Sequence, residues 1–271
     1  MIKRAIDIAI AAFTALLLAF GLFGSGLVVC MLPQTTQLLG DNFSGWEDAT
    51  YPQETMEELA EAVRAFSIED AGRQLLEDAV ASALAEHYPD ISASLTQGDD
   101  LSAELGAGSS ANATRNQNIG GNLYAGGLGI GNIISIYTLP ASAVDHLQDC
   151  IPIFVTSRIA IILSLVFALA GVLLLVIRRR RKLAGWIMFA TPLAVIAIIA
   201  ALGIWAFVDF DSLFTALHGL FFANGTWIFP ADSLLITLFP EAFWMGMGVV
   251  WVFVSILACL IVCFIGRFVK R

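Results

Sequence analysis

Charge is missing from four long stretches of this chain, and basic residues are scarce in most of what lies between them. Residues 8–40, 159–177, 183–208 and 242–266 carry no charged side chain, while 58% of the 271 residues are apolar. A helix needs roughly 20 apolar residues to cross a hydrocarbon core of about 30 Å, so each stretch is long enough to span. A water-soluble globular domain is thereby excluded. The expected fold is an α-helical integral membrane protein whose four spans run over 5–32, 153–177, 183–208 and 242–266.

The sparse basic residues orient those spans. Ten of the fourteen Lys and Arg stand at Lys3 and Arg4, from Arg178 to Lys182, and at Arg267, Lys270 and Arg271. With four spans these places share one side, which the excess of positive charge identifies as the cytoplasm. Both termini, the loop 178–182 and the tail 267–271 then lie inside. Conversely, twenty-two of the twenty-three acidic residues fall in 33–152 and 209–241, and only Asp7 lies elsewhere. The net charge of −9 thus belongs to an acidic outer face. The lack of a basic stripe there to hold phosphate argues against nucleic acid as a partner, and the lipid bilayer is the expected one. The first span is too long for the apolar part of a signal peptide, and no small-residue cleavage site follows before Pro33. It reads as an uncleaved anchor.

Cysteine is equally scarce. Cys259 and Cys263 lie one turn apart inside the last span, where thiols act as small apolar groups. Cys30 and Cys150 both fall near the outer boundary, so topology allows a bridge between them. No ligand spacing suggests a metal, and no cofactor is expected.

The outer segment 33–152 is long enough for a cap between the first and second spans. Thr50 is a candidate N-cap, Pro52 suits the first turn, and Glu54, Glu57, Glu58 and Glu61 crowd the positive end of a helix. Met56, Leu59, Val63 and Phe66 give that helix an apolar face. A second helix is predicted from about Ile68 to Tyr88, with Leu75, Leu76, Ala79, Val80 and Leu84 inward and His87 facing solvent. Residues 97–132 turn small, polar and glycine-rich. The run Gly126 to Gly131 precedes a strand-like Ile133–Tyr137, the reverse of the order in a phosphate-cradling loop, and therefore reads as a linker or hairpin loop. The cap is thus expected to be α/β.

Two histidines stand near the membrane surface. If 139–154 is helical, His146 and Asp149 lie on adjacent turns of one face, near Asp145. In the loop 209–241, His218 is placed among Phe210, Phe214, Phe221 and Phe222, with Asp209, Asp211, Asn224, Trp227 and Asp232. Aromatic residues belong at membrane interfaces in any case. Asp, Asn and His near lipid must be paired, which marks them as candidates for a site. Asp209 and Asp211 serve equally as helix caps, and Asp232 as the cap of the helix after it.

The ordered set Asp209-Phe210, Leu213-Phe214, His218, Phe221-Phe222, Asn224, Trp227, Pro230, Asp232, Leu235-Ile236 and Pro240, with His146-Leu147 and Asp149, resembles a family of bacterial four-span membrane proteins. That family includes the lipoprotein intramolecular transacylase. The likeness covers the last half of the chain, and residues 67–132 have no counterpart in it. It implies transfer of an acyl chain from the sn-2 oxygen of a diacylglyceryl-cysteine to the α-amino group of the same cysteine. The substrate would be a diacylated lipoprotein in the bacterial cytoplasmic membrane, and the site would lie at the outer leaflet. Donor and acceptor share one molecule, so no acyl-enzyme is needed, in keeping with the lack of a nucleophile motif. His146 and His218 are the expected acid and base, Asp149, Asp209 or Asp211 orient an imidazole, Asn224 and Trp227 donate hydrogen bonds, and the four phenylalanines line the pocket. The competing class is a non-enzymatic four-span scaffold or sensor with an acidic partner-binding cap. Two imidazoles facing one pocket would separate the enzyme from it.

Overall fold

The computed structural model describes residues 2–46, 49–93, 95, 135–223 and 225–270. Its helices are α1 (Ile2–Cys30), α2 (Pro33–Phe43), α3 (Gln53–Glu69), α4 (Arg73–His87), α5 (Ala141–Ile177), α6 (Arg181–Val208), α7 (Phe210–Phe221), α8 (Leu234–Leu238) and α9 (Glu241–Val269). Four of these, α1, α5, α6 and α9, are long and apolar enough to cross a membrane. The chain is a multi-pass membrane protein. No strand occurs among the described residues, so the expected α/β cap is corrected to a helical one. Residues 135–137 are helical, while Ile133, Ile134 and the run from Gly126 to Gly131 lie outside the described residues. A short, mostly apolar run fits either period, and over 135–137 it is helical.

The chain divides into two compact units. The first comprises Met1–Thr35, Pro152–Ala223 and Trp244–Arg271. Its helices meet where side chains are smallest, as lipid-embedded helices do when packing must replace the hydrophobic effect. Gly24 faces Ile161, Gly171 faces Thr14, and Gly26 abuts the backbone of Trp251. Trp251 Nε1 donates to the Phe23 carbonyl at 2.9 Å, and Ser255 Oγ accepts from Gly26 N at 3.2 Å. Buried Thr14 and Ser164 donate to Ile10 and Ile161 carbonyls, both at 2.7 Å, so neither hydroxyl is stranded. At the basic end, Asp7 is only 4% exposed. Arg178 Nε and Arg180 Nε reach its two carboxylate oxygens at 2.7 and 2.6 Å.

That clasp depends on how α5 ends. Arg180 N–H bonds the Leu175 carbonyl at 2.8 Å and Arg179 N–H the Val176 carbonyl at 3.0 Å, the paired closure of a Schellman motif. Arg179 sits at the left-handed position with φ of 60°, where glycine is usual. The turn thereby places the flanking arginines on Asp7, the only acidic residue outside the two acidic segments.

The second unit comprises Thr36–Ile151 and Asn224–Phe243. Met56, Leu59, Val63 and Phe66 of α3 are buried as their spacing requires, against Leu76, Val80 and Ala83 of α4, Ala143, Val144 and Leu147 of α5, and Leu234, Leu235 and Leu238 of α8. Trp46 Nε1 donates to the Thr237 carbonyl at 3.2 Å, and Tyr51 Oη to the Tyr137 carbonyl at 2.7 Å. Local chemistry corrects the predicted helix ends. Pro52, not Thr50, holds the N-cap position of α3. Asp70 turns left-handed at φ of 57° and Gly72 follows at 92°, so α3 runs on to Glu69 and α4 starts only at Arg73. Leu75 therefore faces outward, 58% exposed. His87, expected in solvent, is half-buried and shares a hydrogen bond with Thr55 Oγ1 at 2.9 Å.

Two substitutions test these contacts through thermal unfolding in detergent micelles. Gly26→Val drives a side chain into the Trp251 backbone and should cost about 1–3 kcal/mol. Arg179→Gly removes the left-handed penalty of roughly 1–2 kcal/mol and should raise the midpoint. A silent Gly26→Val would contradict the close α1–α9 approach.

Candidate active site

His218 lies in the first unit, not in a loop as its sequence neighbourhood suggested but on the helix α7. Asp209 breaks α6 from α7 and caps the new helix, its carboxylate accepting from Ser212 N at 3.0 Å. Asp211 is exposed in the first turn, where a negative charge suits the helix dipole. His218 stands one turn after Phe214, the two rings 4.0 Å apart at centroids and tilted by 34°. Phe222 lies 5.7 Å from the imidazole on its other side in sequence. Phe214 in turn touches Phe210 at 5.7 Å and Trp244 at 6.0 Å. Phe221 is exposed.

The hydrogen bonding of His218 decides its chemistry. Nδ1 lies 2.9 Å from the Phe214 carbonyl, an acceptor without a proton of its own. Nδ1 must therefore carry the hydrogen, and in the neutral ring Nε2 keeps the basic lone pair. Burial among phenylalanines lowers the imidazole pKa from its ordinary 6.5, and the bond to the Phe214 carbonyl opposes that in part. A neutral imidazole with a defined tautomer is what a general base requires near pH 7.

His146 lies in the second unit, on the first turns of α5, half-buried. The predicted helix over this segment is present and runs on through Pro152, whose missing N–H costs one bond in the ladder. The His146 ring stands 5.7 Å from that of Phe229, and its Nε2 lies 4.0 Å from Cys150 Sγ. Asp149 is exposed on the same stretch of helix, and Asp145 is drawn to Arg73 at 3.3 Å. Phe229 also lines a cavity of about 230 Å³ with Ser135, Ala143, Pro230 and Ser233. Ser233 is buried at the N-cap of α8, so Asp232, exposed beside it, is not the cap. Trp227 is half-buried in the turn before this helix, and Asn224 lies outside the described residues.

Sequence reasoning did not place Cys150 beside His146 and missed Phe229 and Trp244. Cys150 had a signal, its four-residue spacing from His146 on a segment expected to be helical. Phe229 and Trp244 offered none beyond membership of an aromatic-rich stretch. All four cysteines are free. Cys30 Sγ donates to the Met247 carbonyl at 3.4 Å.

The depressed His218 pKa carries a signed prediction. Its folded value lies below the unfolded one, so its contribution to stability is complete above pH 6.5 and is lost as the pH falls through the folded value. Carbon NMR of histidine-labelled protein, with His218 assigned through His218→Gln, should give a midpoint below 6.5. A midpoint above it would contradict the burial argument.

The family model described as lipoprotein intramolecular transacylase Lit matches residues 130–244, which hold both histidines and the aromatic helix. No curated protein matches the chain. The solved structure of the membrane integral lipoprotein intramolecular transacylase Lit from Bacillus cereus has a TM-score of 0.62 at 13% identity, covering 98% of this chain and 96% of that one. A mutated form of that protein gives a TM-score of 0.47 at 14% identity over 99% and 93% of the two chains. At such identities the likeness to the first structure is one of fold. In its family match over residues 130–244 and in its four-span fold, this chain is similar to the lipoprotein intramolecular transacylases.

Proposed function

We propose that this chain is a lipoprotein intramolecular transacylase, which moves the sn-2 acyl chain of a diacylglyceryl-cysteine to that cysteine's own α-amino group. The observation that carries the reading is the fixed tautomer of His218, with Nδ1 bonded to the Phe214 carbonyl in an aromatic setting that keeps the ring neutral. The family match over the same region supports it.

The step balances without any added reagent. The α-amine, ordinary pKa near 8, gives up a proton and attacks the ester carbonyl carbon. The resulting tetrahedral oxyanion collapses, breaking the bond to the sn-2 oxygen, which takes a proton. Amide and free sn-2 hydroxyl replace ester and amine, and the product is a lyso-form lipoprotein. His218 removes the proton from the amine, and His146 supplies one to the departing oxygen or stabilises the oxyanion, the two roles being open to exchange. Trp227 and Asn224 are the proposed donors to the oxyanion, Asp149, Asp209 and Asp211 the proposed orienting acids, and Asp232 a supporting one. Phe210, Phe214, Phe221 and Phe222 would hold the acyl and peptide ends together, so that proximity replaces covalent catalysis. Cys150 has no part in the route, since 4.0 Å from His146 is a poor distance for activating a thiol.

Location follows from charge. Both termini are cytoplasmic in this reading, the segments 33–152 and 209–241 are extracytoplasmic, and the reaction takes place at the outer leaflet. The acidic outer face leaves nucleic acid out.

The test is mass spectrometry of a reporter lipoprotein's N-terminal lipopeptide in a bacterium lacking other N-acylating enzymes. At equal membrane levels, His146→Ala and His218→Ala should each lower lyso-form product by roughly 100-fold or more. Cys150→Ala should leave it unchanged, whereas its loss would argue for an acyl-enzyme. Diacyl substrate left untouched by the unaltered chain would sink the reading and favour a scaffold.

A further inference from the structure

The helix α7 has no buried residue, although its sequence is largely apolar. With successive residues about 100° apart, Phe210, Leu213, Phe214, Leu217, Leu220 and Phe221 fall within one arc of roughly 120°, while Asp211, Ser212, Thr215 and Gly219 fall opposite. His218 lies between the two arcs. Part of that arc is not spent on protein packing, since Leu217, Leu220 and Phe221 are 49%, 72% and 56% exposed.

Its surroundings say what covers it. At the end of α6, immediately before α7, Phe207 and Val208 are 90% and 76% exposed, and Ile204 and Ile198 above them in the sequence are exposed as well. That helix is one of the four long and apolar enough to cross a membrane, so an apolar surface exposed on it faces lipid. α7 begins directly after it, past the single non-helical residue Asp209. A helix with one charged or polar face and one apolar face at the end of a span lies in the interface plane, its apolar side sunk into the acyl-chain boundary.

We propose that α7 is an interfacial helix whose Leu217–Leu220–Phe221 face is covered by lipid acyl chains, with His218 held at the line where hydrocarbon gives way to water. The acyl chain of a membrane-embedded ester then reaches the imidazole sideways, along the apolar arc and within the leaflet, without leaving the hydrocarbon. The membrane contact stands on the helix alone. Its use as a route to His218 rests on the transacylation reading.

The experiment places the photoreactive residue p-benzoylphenylalanine at position 217, 220 or 215 of the full chain in vesicles of phosphatidylglycerol and phosphatidylethanolamine. After irradiation, intact-mass measurement should find lipid adducts from positions 217 and 220 and loss of the adduct at position 215. Equal adducts at all three positions would overturn the proposal, as would crosslinks from 217 and 220 to a second copy or to another part of the chain. Adducts at 217 and 220 in a protein that makes no lyso-form product would keep the membrane contact and remove the reaction. Product formed without those adducts would do the reverse.

Discussion

Everything in this molecule is arranged around the inability of hydrocarbon to solvate a polar group. Each unpaired backbone or side-chain polar atom there costs several kcal/mol, so the spans are helices that satisfy their own peptide groups. The few hydroxyls inside them turn back onto helix carbonyls, as Thr14 and Ser164 do. Glycines bring the helices close enough for dispersion and backbone contact to hold them, as at Gly26 against Trp251. The one carboxylate of α1, Asp7, is fixed by two arginines at the end of α5. Polar chemistry is consequently pushed to the ends of the spans.

At those ends the same low dielectric becomes useful. An imidazole half-sheltered by phenylalanines stays neutral, and a carbonyl one turn back sets which nitrogen carries the proton. A reaction between two groups of one substrate then asks little more than orientation, proton transfer and donors for the oxyanion. Such chemistry suits a helical scaffold with no nucleophile motif. It also suits a substrate whose ester lies at headgroup depth.

The spans were legible because 19 or more uncharged and mostly apolar residues, as in 159–177, form a longer run than the core helices of soluble domains sustain. The face of α3 was equally plain, since Met56, Leu59, Val63 and Phe66 obey one period and all are buried. Other features hid for local reasons. Residues 135–137 looked like a strand because a short apolar run is compatible with both periods, although they are helical. Helix ends were displaced by backbone geometry at Pro52, Asp70 and Gly72, which side-chain type alone does not fix. The helix α7 passed for a loop because its aromatics suggested an interface, which masked the 3.6-residue period beneath them. His146 and His218 were singled out by type and spacing, whereas the carbonyl that sets the His218 tautomer, and Cys150 beside His146, needed coordinates.

The central claim is that the acyl group never leaves the molecule it started on. The direct measurement supplies purified protein with a lipopeptide whose sn-2 acyl chain is isotopically labelled, in vesicles containing a large excess of unlabelled phospholipid, and weighs the N-acyl product. Undiluted label on the α-amine is the result expected of intramolecular transfer through His146 and His218. An N-acyl chain drawn from the unlabelled phospholipid would contradict it.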